Sequence, residues 1–320
     1  MRSSISRRRP RALAGGVAAA AVLVGTSACS TASSGAADGS ASGKAASGKA
    51  IEVVAAENFW GSIAQQLGGS HVHVKSIIDN PAADPHDYEP TAADGRAVAT
   101  ARYAIVNGIG YDAWADKLLS ANPGSGRTEL KVGDLVHLKP GGNPHRWYSP
   151  ADVRQVIEKI TADYKKIDPD HAASYNARKK TYLDTTLAPY NRLVSHIKTT
   201  YKGTSIGASE SIATPLAQGL GLKMRTPASF LDAISEGTDP TAEDKSAIDR
   251  QIKNKEIKVY VYNSQNSTPD VRAQVKEAKA AGIPVATVTE TPTPAGVSFQ
   301  DWQVRQLKGI ERALAQAKGE

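Results

Sequence analysis

Asp84-Pro85-His86-Asp87-Tyr88-Glu89-Pro90 and Asn143-Pro144-His145-Arg146-Trp147-Tyr148-Ser149-Pro150 are two stretches built to one plan. In each, a proline stands directly before a histidine and a large aromatic residue follows two positions later. Proline fixes its own φ and pushes the preceding residue toward extended backbone, so each imidazole is expected on a short, stiff loop. Such a loop loses little entropy when a ligand is held, and Tyr88 and Trp147 are expected as cleft walls that shield the rings from water. Paired, shielded imidazoles are what a transition-metal site requires. The second stretch ends in Ser149-Pro150, an N-cap with a first-turn proline. It therefore hands over at once to a helix whose apolar face carries Val153, Val156, Ile157 and Ile160.

Outward from these loops the chain alternates strand and helix. Residues 51–56 read as a buried strand, 60–67 as a short helix and 72–78 as a strand. A capping box at Thr91 to Asp94 opens a helix, and 103–106 read as a further strand before Gly108 and Gly110. Together with the helix after Pro150, this predicts one α/β lobe over residues 51–168. Asp168-Pro169 repeats the N-cap and first-turn proline, and no glycine or proline except Pro189 interrupts the chain until Gly203. One helix over 169–202 would be about 50 Å long, enough to join two lobes rigidly, with a kink or break expected at Pro189. The alternation then resumes over 203–320. Strands are expected near 205–208, 259–262 and 285–288, and helices from Ile212, after a capping box at Thr241 to Asp244, over 270–281, and after Ser298. The predicted fold is α/β, with two Rossmann-like lobes joined by a long linking helix.

Residues 1–28 hold Arg2, Arg7, Arg8, Arg9 and Arg11, no acid, and an apolar run from Ala12 to Val24, which reads as a signal peptide. The run is short of the roughly 20 residues a transmembrane helix needs. The full chain has 39 basic and 32 acidic residues, a formal charge of +7. Without the leader's five arginines the charge is +2, and no basic run with interleaved aromatics points to nucleic acid. The one cysteine, Cys29, follows Thr26-Ser27-Ala28, where it can form no internal disulfide. It is similar to the first residue of a lipoprotein, which predicts lipidation at Cys29, although Thr26 stands where an apolar residue is usual. Arg7-Arg8 is also similar to a twin-arginine export signal, but Pro10 and Arg11 spoil its apolar continuation. Residues 29–50, beyond Cys29 made of Ser, Thr, Ala, Gly, Asp and Lys, read as a flexible tether.

The order of lipoprotein-like signal, Asp-Pro-His-x-Tyr-Glu-Pro, Asn-Pro-His-x-Trp, long helix and second α/β lobe resembles the metal-binding solute receptors of zinc and manganese ABC importers. The resemblance covers nearly all of the chain after the leader and implies one ion held in the cleft between two lobes and passed to a membrane permease. It implies His86 and His145 as ligands from the first lobe. A third ligand, in a Ser-His or Ser-Glu pair after a strand of the second lobe, falls on Glu210 of Ser209-Glu210. The fourth, an aspartate of a Thr-Asp pair in the family, falls on Glu290 of Thr289-Glu290, one methylene longer. The membrane partner would be the ABC permease, and a lipid on Cys29 would anchor the chain to the outer face of the cell membrane.

Two imidazoles and two carboxylates suit Zn²⁺ in a tetrahedron and suit Mn²⁺ when a carboxylate binds through both oxygens. With no thiolate, copper(I) and iron–sulfur chemistry lose their usual ligands. A histidine-rich loop before the second motif, frequent in the zinc-specialised members, is represented here by His137 alone, which favours manganese. The Irving–Williams order favours zinc. Neutral imidazoles are needed for binding, so capture is expected to weaken as pH falls below about 6.5. The residues leave two other classes open. A secreted zinc hydrolase also uses two histidines and a carboxylate, but His-Glu-x-x-His is absent. A receptor for an organic solute such as an amino acid calls for a cleft arginine and leaves the paired histidines unexplained. Glu210 read alone would cap the helix from Ile212, Glu290 would be a solvated loop acid, and Glu89 would hold its loop or pair at the cleft rim. His71, His73, His137, His171 and His196 read as structural or exposed.

Overall fold

Strand β1 (Ile51–Glu57) is buried along almost its whole length, as a central strand with helices on both faces must be. The computed structural model describes residues 49–319 except Asp87, so the leader, Cys29 and nearly all of the tether lie outside the described residues. After β1 come α1 (Asn58–Gly68), β2 (Val72–Ile78), α2 (Ala92–Thr100), β3 (Tyr103–Val106), α3 (Ala113–Ala121), β4 (Thr128–Lys131) and the single turn α4 (Val132–Leu135). The strands are parallel in the order β2-β1-β3-β4. The second half repeats the scheme with β5 (Ser205–Ala208), α8 (Ala213–Leu220), β6 (Lys223–Met224), α9 (Ala228–Ser235), α10 (Ala242–Lys253), β7 (Val259–Asn263), α11 (Pro269–Ala280) and β8 (Val285–Val288), in the order β6-β5-β7-β8. In both sheets the order reverses beside the first strand, and the crevice at the carboxyl ends there is where open α/β sheets take ligands.

Between the sheets run α5 (Pro150–Ile167), α6 (Ala172–Thr181) and α7 (Ala188–Thr200). The continuous helix expected over 169–202 is interrupted. A 3₁₀ turn, Pro169–His171, precedes α6, and a π turn, Tyr182–Thr186, leads to the break at Leu187 before Pro189. The cause is local: Pro189 has no N–H to donate back along the helix, and a π turn is a recurrent way to take up that lost bond. Asp168 caps nothing with its side chain. It accepts instead from Tyr175 Oη and meets His171 Nδ1, both at 2.7 Å. The expected caps at Thr91, Ser149, Thr241 and Ser298 are present, each side chain accepting from the backbone N–H three residues on.

The last helix, α12 (Phe299–Lys318), packs on α7 and β8 and returns to α1 of the first lobe. Phe299 N–H donates to Ser62 Oγ at 3.0 Å, and Gln66 and Gln300 exchange amide hydrogen bonds at 3.0 Å. One apolar core therefore runs through both lobes, from Val53 and Phe59 through Trp147, Tyr148 and Ile160 to Leu216, Val261 and Trp302. Smaller clusters cover the outer faces of the two sheets. Among the described residues, no helix is long and apolar enough to cross a membrane.

Candidate metal centre

The carboxyl ends of both sheets meet at one crevice. His86 lies on the loop after β2, His145 on the loop between α4 and α5, Glu210 just after β5 and Glu290 just after β8. Glu290 Oε1 stands between the imidazoles, 3.8 Å from His86 Nε2 and 3.7 Å from His145 Nε2. Two ligands on one tetrahedral ion with bonds of roughly 2.1 Å lie about 3.4 Å apart, so each pair needs only a small inward shift to share a metal. Glu290 Oε1 is buried and makes no hydrogen bond among the described residues. Burial alone would raise its carboxyl, but His145, then His86 and the Tyr111 hydroxyl, outweigh this and hold it below the usual range. It is not the solvated loop acid that its position in the sequence allows.

Glu210 is 1% exposed and does not cap α8. Its two oxygens accept from Asn263 Nδ2 at 2.5 Å and Asn266 Nδ2 at 2.7 Å, both on the segment leaving β7. Burial, and next the charge of Glu290, push its carboxyl upward. Two facing acids with opposite shifts hold less negative charge than two free carboxylates.

His145 is 1% exposed and His86 sits at the mouth, its side chain 35% exposed. Tyr111, fully buried, sets its ring edge-on to both imidazoles, with centroids 4.9 Å from His86 and 6.0 Å from His145. Burial, then Glu290, raises its hydroxyl, which therefore keeps its proton and faces Glu290 without a well-formed hydrogen bond. Asp112 accepts from the backbone N–H of Asn107 and of Gly108, both at 2.7 Å, and so shapes the loop that presents Tyr111. Beside it Glu57 is completely buried, and burial followed by the Asp112 charge pushes its carboxyl well above the usual range.

Tyr88 and Trp147 are not cleft walls. Tyr88 packs on Trp114 and donates to Asp94, while Trp147 is fully buried and stacks on Phe59 at 4.0 Å. The aromatic two residues after each histidine anchors its loop to a core, and Tyr111, which lies outside both motifs, is the cleft aromatic. Glu89 is exposed. Two cavities open on the site. One of about 430 Å³ is lined by His86, Asn143, His145, Ser211, Asp232 and Glu236. The other, about 540 Å³, is lined in part by Asp84, His86, Asn266 and Glu290.

A second gathering of donor atoms lies where α6 joins the first lobe. The ligand atoms of His71, Asp168 and His171 fall within 4.8 Å of one another, closer than any three of the four site residues among those described. Its rings stack at 4.0 Å and 29°, so their lone pairs run side by side and do not converge. With Tyr175 and His171 both on Asp168 Oδ2, the cluster is a seat for the linking helices.

Residues 53–313 match the family model described as zinc-uptake complex component A, periplasmic. The manganese-binding lipoprotein MntA of Halalkalibacterium halodurans is 29% identical over 141 residues, 42% of this chain and 46% of that protein. The zinc-binding lipoprotein AdcA of Streptococcus pneumoniae is 23% identical over 283 residues, 79% of this chain and 53% of that one. The matches thus span about half the length of these curated relatives. The Mn-bound periplasmic metal binding protein from Candidatus Liberibacter asiaticus superposes with a TM-score of 0.70 at 21% identity, over 83% of this chain and 100% of that one, and so shares the fold. With more than four-fifths of its length inside the family model, this chain belongs to the ZnuA family of periplasmic zinc-uptake components.

Proposed function

We propose that the protein is an extracytoplasmic receptor that captures one divalent transition metal, Zn²⁺ or Mn²⁺, between its lobes and delivers it to an ABC-type permease, with no catalysis of its own. His86, His145, Glu210 and Glu290 are the ligands in this reading. The observation that carries it is the placement of Glu290 Oε1 3.7–3.8 Å from the Nε2 atoms of both imidazoles. Four protein donors close a tetrahedron, whereas a zinc hydrolase keeps a position open for water. The names of the relatives, which bind manganese or zinc, support the metal class. We assign residues 1–28 to a signal peptide, Cys29 to a lipid anchor on the outer face of the membrane, and 29–50 to the tether. The lobes are then 51–168 and 203–320, linked by 169–202.

Elemental analysis of the purified protein beside a His86→Ala, His145→Ala double variant tests the reading. One equivalent of zinc or manganese in the first and none in the second is expected. No metal in either, with no thermal stabilisation on adding either ion, would turn the assignment toward an organic solute.

A further inference from the structure

Asn143 stands two residues before His145, and its amide can face only one way. Its Oδ1 meets the backbone N–H of His145 at 3.0 Å, a group that only donates. Its Nδ2 meets the Ser211 carbonyl at 2.7 Å, a group that only accepts. A turned amide would set donor against donor and acceptor against acceptor. Oδ1 is therefore the atom 3.1 Å from His145 Nδ1, and an acceptor there requires the imidazole proton on Nδ1. The lone pair of the neutral ring is then on Nε2, the atom that faces Glu290. Ser211 Oγ, 3.4 Å from Nδ1, is compatible with the same arrangement, since in its 2.8 Å contact with Ser235 Oγ either hydroxyl can be the donor, which leaves Ser211 able to accept.

Asn143 belongs to the first lobe and Ser211 to the second. We propose that Asn143 is a positioning residue that ties the metal-ready tautomer of His145 to contact between the lobes. The Ser211 carbonyl locks the amide, and the amide locks the ring. When the crevice loops that carry Asn143 and Ser211 part, Nδ2 loses its acceptor and the amide becomes free to turn. A turned amide offers Nδ2–H to Nδ1; solvent then removes the Nδ1 proton and returns one to Nε2, leaving the ring neutral but its ligand atom blocked. Opening would so assist release of the ion, a role that rests on the metal-receptor reading.

The test uses protein labelled with ¹⁵N-histidine, without metal, at pH 8. Long-range ¹H–¹⁵N spectra are expected to show His145 protonated on Nδ1. Asn143→Leu, which removes the acceptor and the tie, is expected to populate the Nε2–H form and weaken Zn²⁺ binding about 10- to 100-fold, through faster dissociation. Asn143→Asp retains the acceptor at Oδ1 and loses the donor, so it should restore the Nδ1–H form while Zn²⁺ still leaves faster than from the parent protein. An Nε2–H ring in the parent protein, or parental tautomer and Zn²⁺ dissociation rate in Asn143→Leu, would overturn the proposal. Should the leucine variant not fold, the parental spectrum and Asn143→Asp still decide. Failure of the parent protein to take up Zn²⁺ would instead sink the receptor reading, while the metal-free spectra continue to test Asn143.

Discussion

Glu290 and Glu210 set the charge of the crevice in opposite directions. Glu290 is held low by the imidazoles, and Glu210 is raised by burial and by Glu290. For Glu210 to become a ligand it must give up whatever proton it holds, so metal capture should release protons and tighten as pH rises. Competition titration with Zn²⁺ at pH 7.5 and pH 5 checks this: affinity is expected to collapse at the lower pH, and equal affinities would exclude histidine ligation. At this scale the site is half legible in the sequence. His86 and His145 announce themselves because proline placement is a local restraint that repeats. Tyr111, Asn263 and Asn266 carry no such mark, because only the topology of β3 and β7 brings them beside Glu290 and Glu210. Asp112 is equally silent, yet its carboxylate holds two backbone N–H groups in a buried loop. Asp112→Ala is expected to cost about 2–4 kcal/mol, read from urea unfolding, because both donors are left unsatisfied.

Among the elements, helix starts are the most legible. Thr91 and Asp94 form a full capping box before α2, chemistry confined to four consecutive residues. Burial would raise the Asp94 carboxyl, but Thr91, Lys75 and Tyr88 hydrogen-bond to it and hold it down to about 2. A depressed carboxylate stabilises the fold above its unfolded value near 3.9 and loses that contribution as pH falls toward 2. Asp94→Asn is therefore expected to lower stability by about 1–2 kcal/mol at pH 7, the difference from the parent vanishing near pH 2 in acid unfolding curves. The edge strands β4 and β6 give no sequence signal. The first buries Leu130 alone among its four residues and the second is two residues long, too little for a period to be seen. The break in the linking helices is legible in its cause, Pro189, but the π turn that absorbs it one turn earlier is not.

At the scale of the whole molecule, the shared core limits what binding can move. Lobes that met only through a polar cleft would be free to swing, whereas α12 and the tryptophan-rich centre tie these two together. Metal addition is expected to change the radius of gyration by less than about 1 Å in small-angle scattering, with the change confined to the crevice loops. A hinge closure of several ångströms would show that the core yields more than its packing implies. The stacking of Trp147 on Phe59, with the His145 ring 5.2 Å from the indole, has an optical consequence. An indole so placed is a lamp built beside the cargo. Paramagnetic Mn²⁺ should dim its emission while closed-shell Zn²⁺ leaves it bright, so the protein's own fluorescence would tell which ion it carries, and replacing Trp147 with Phe should remove the difference.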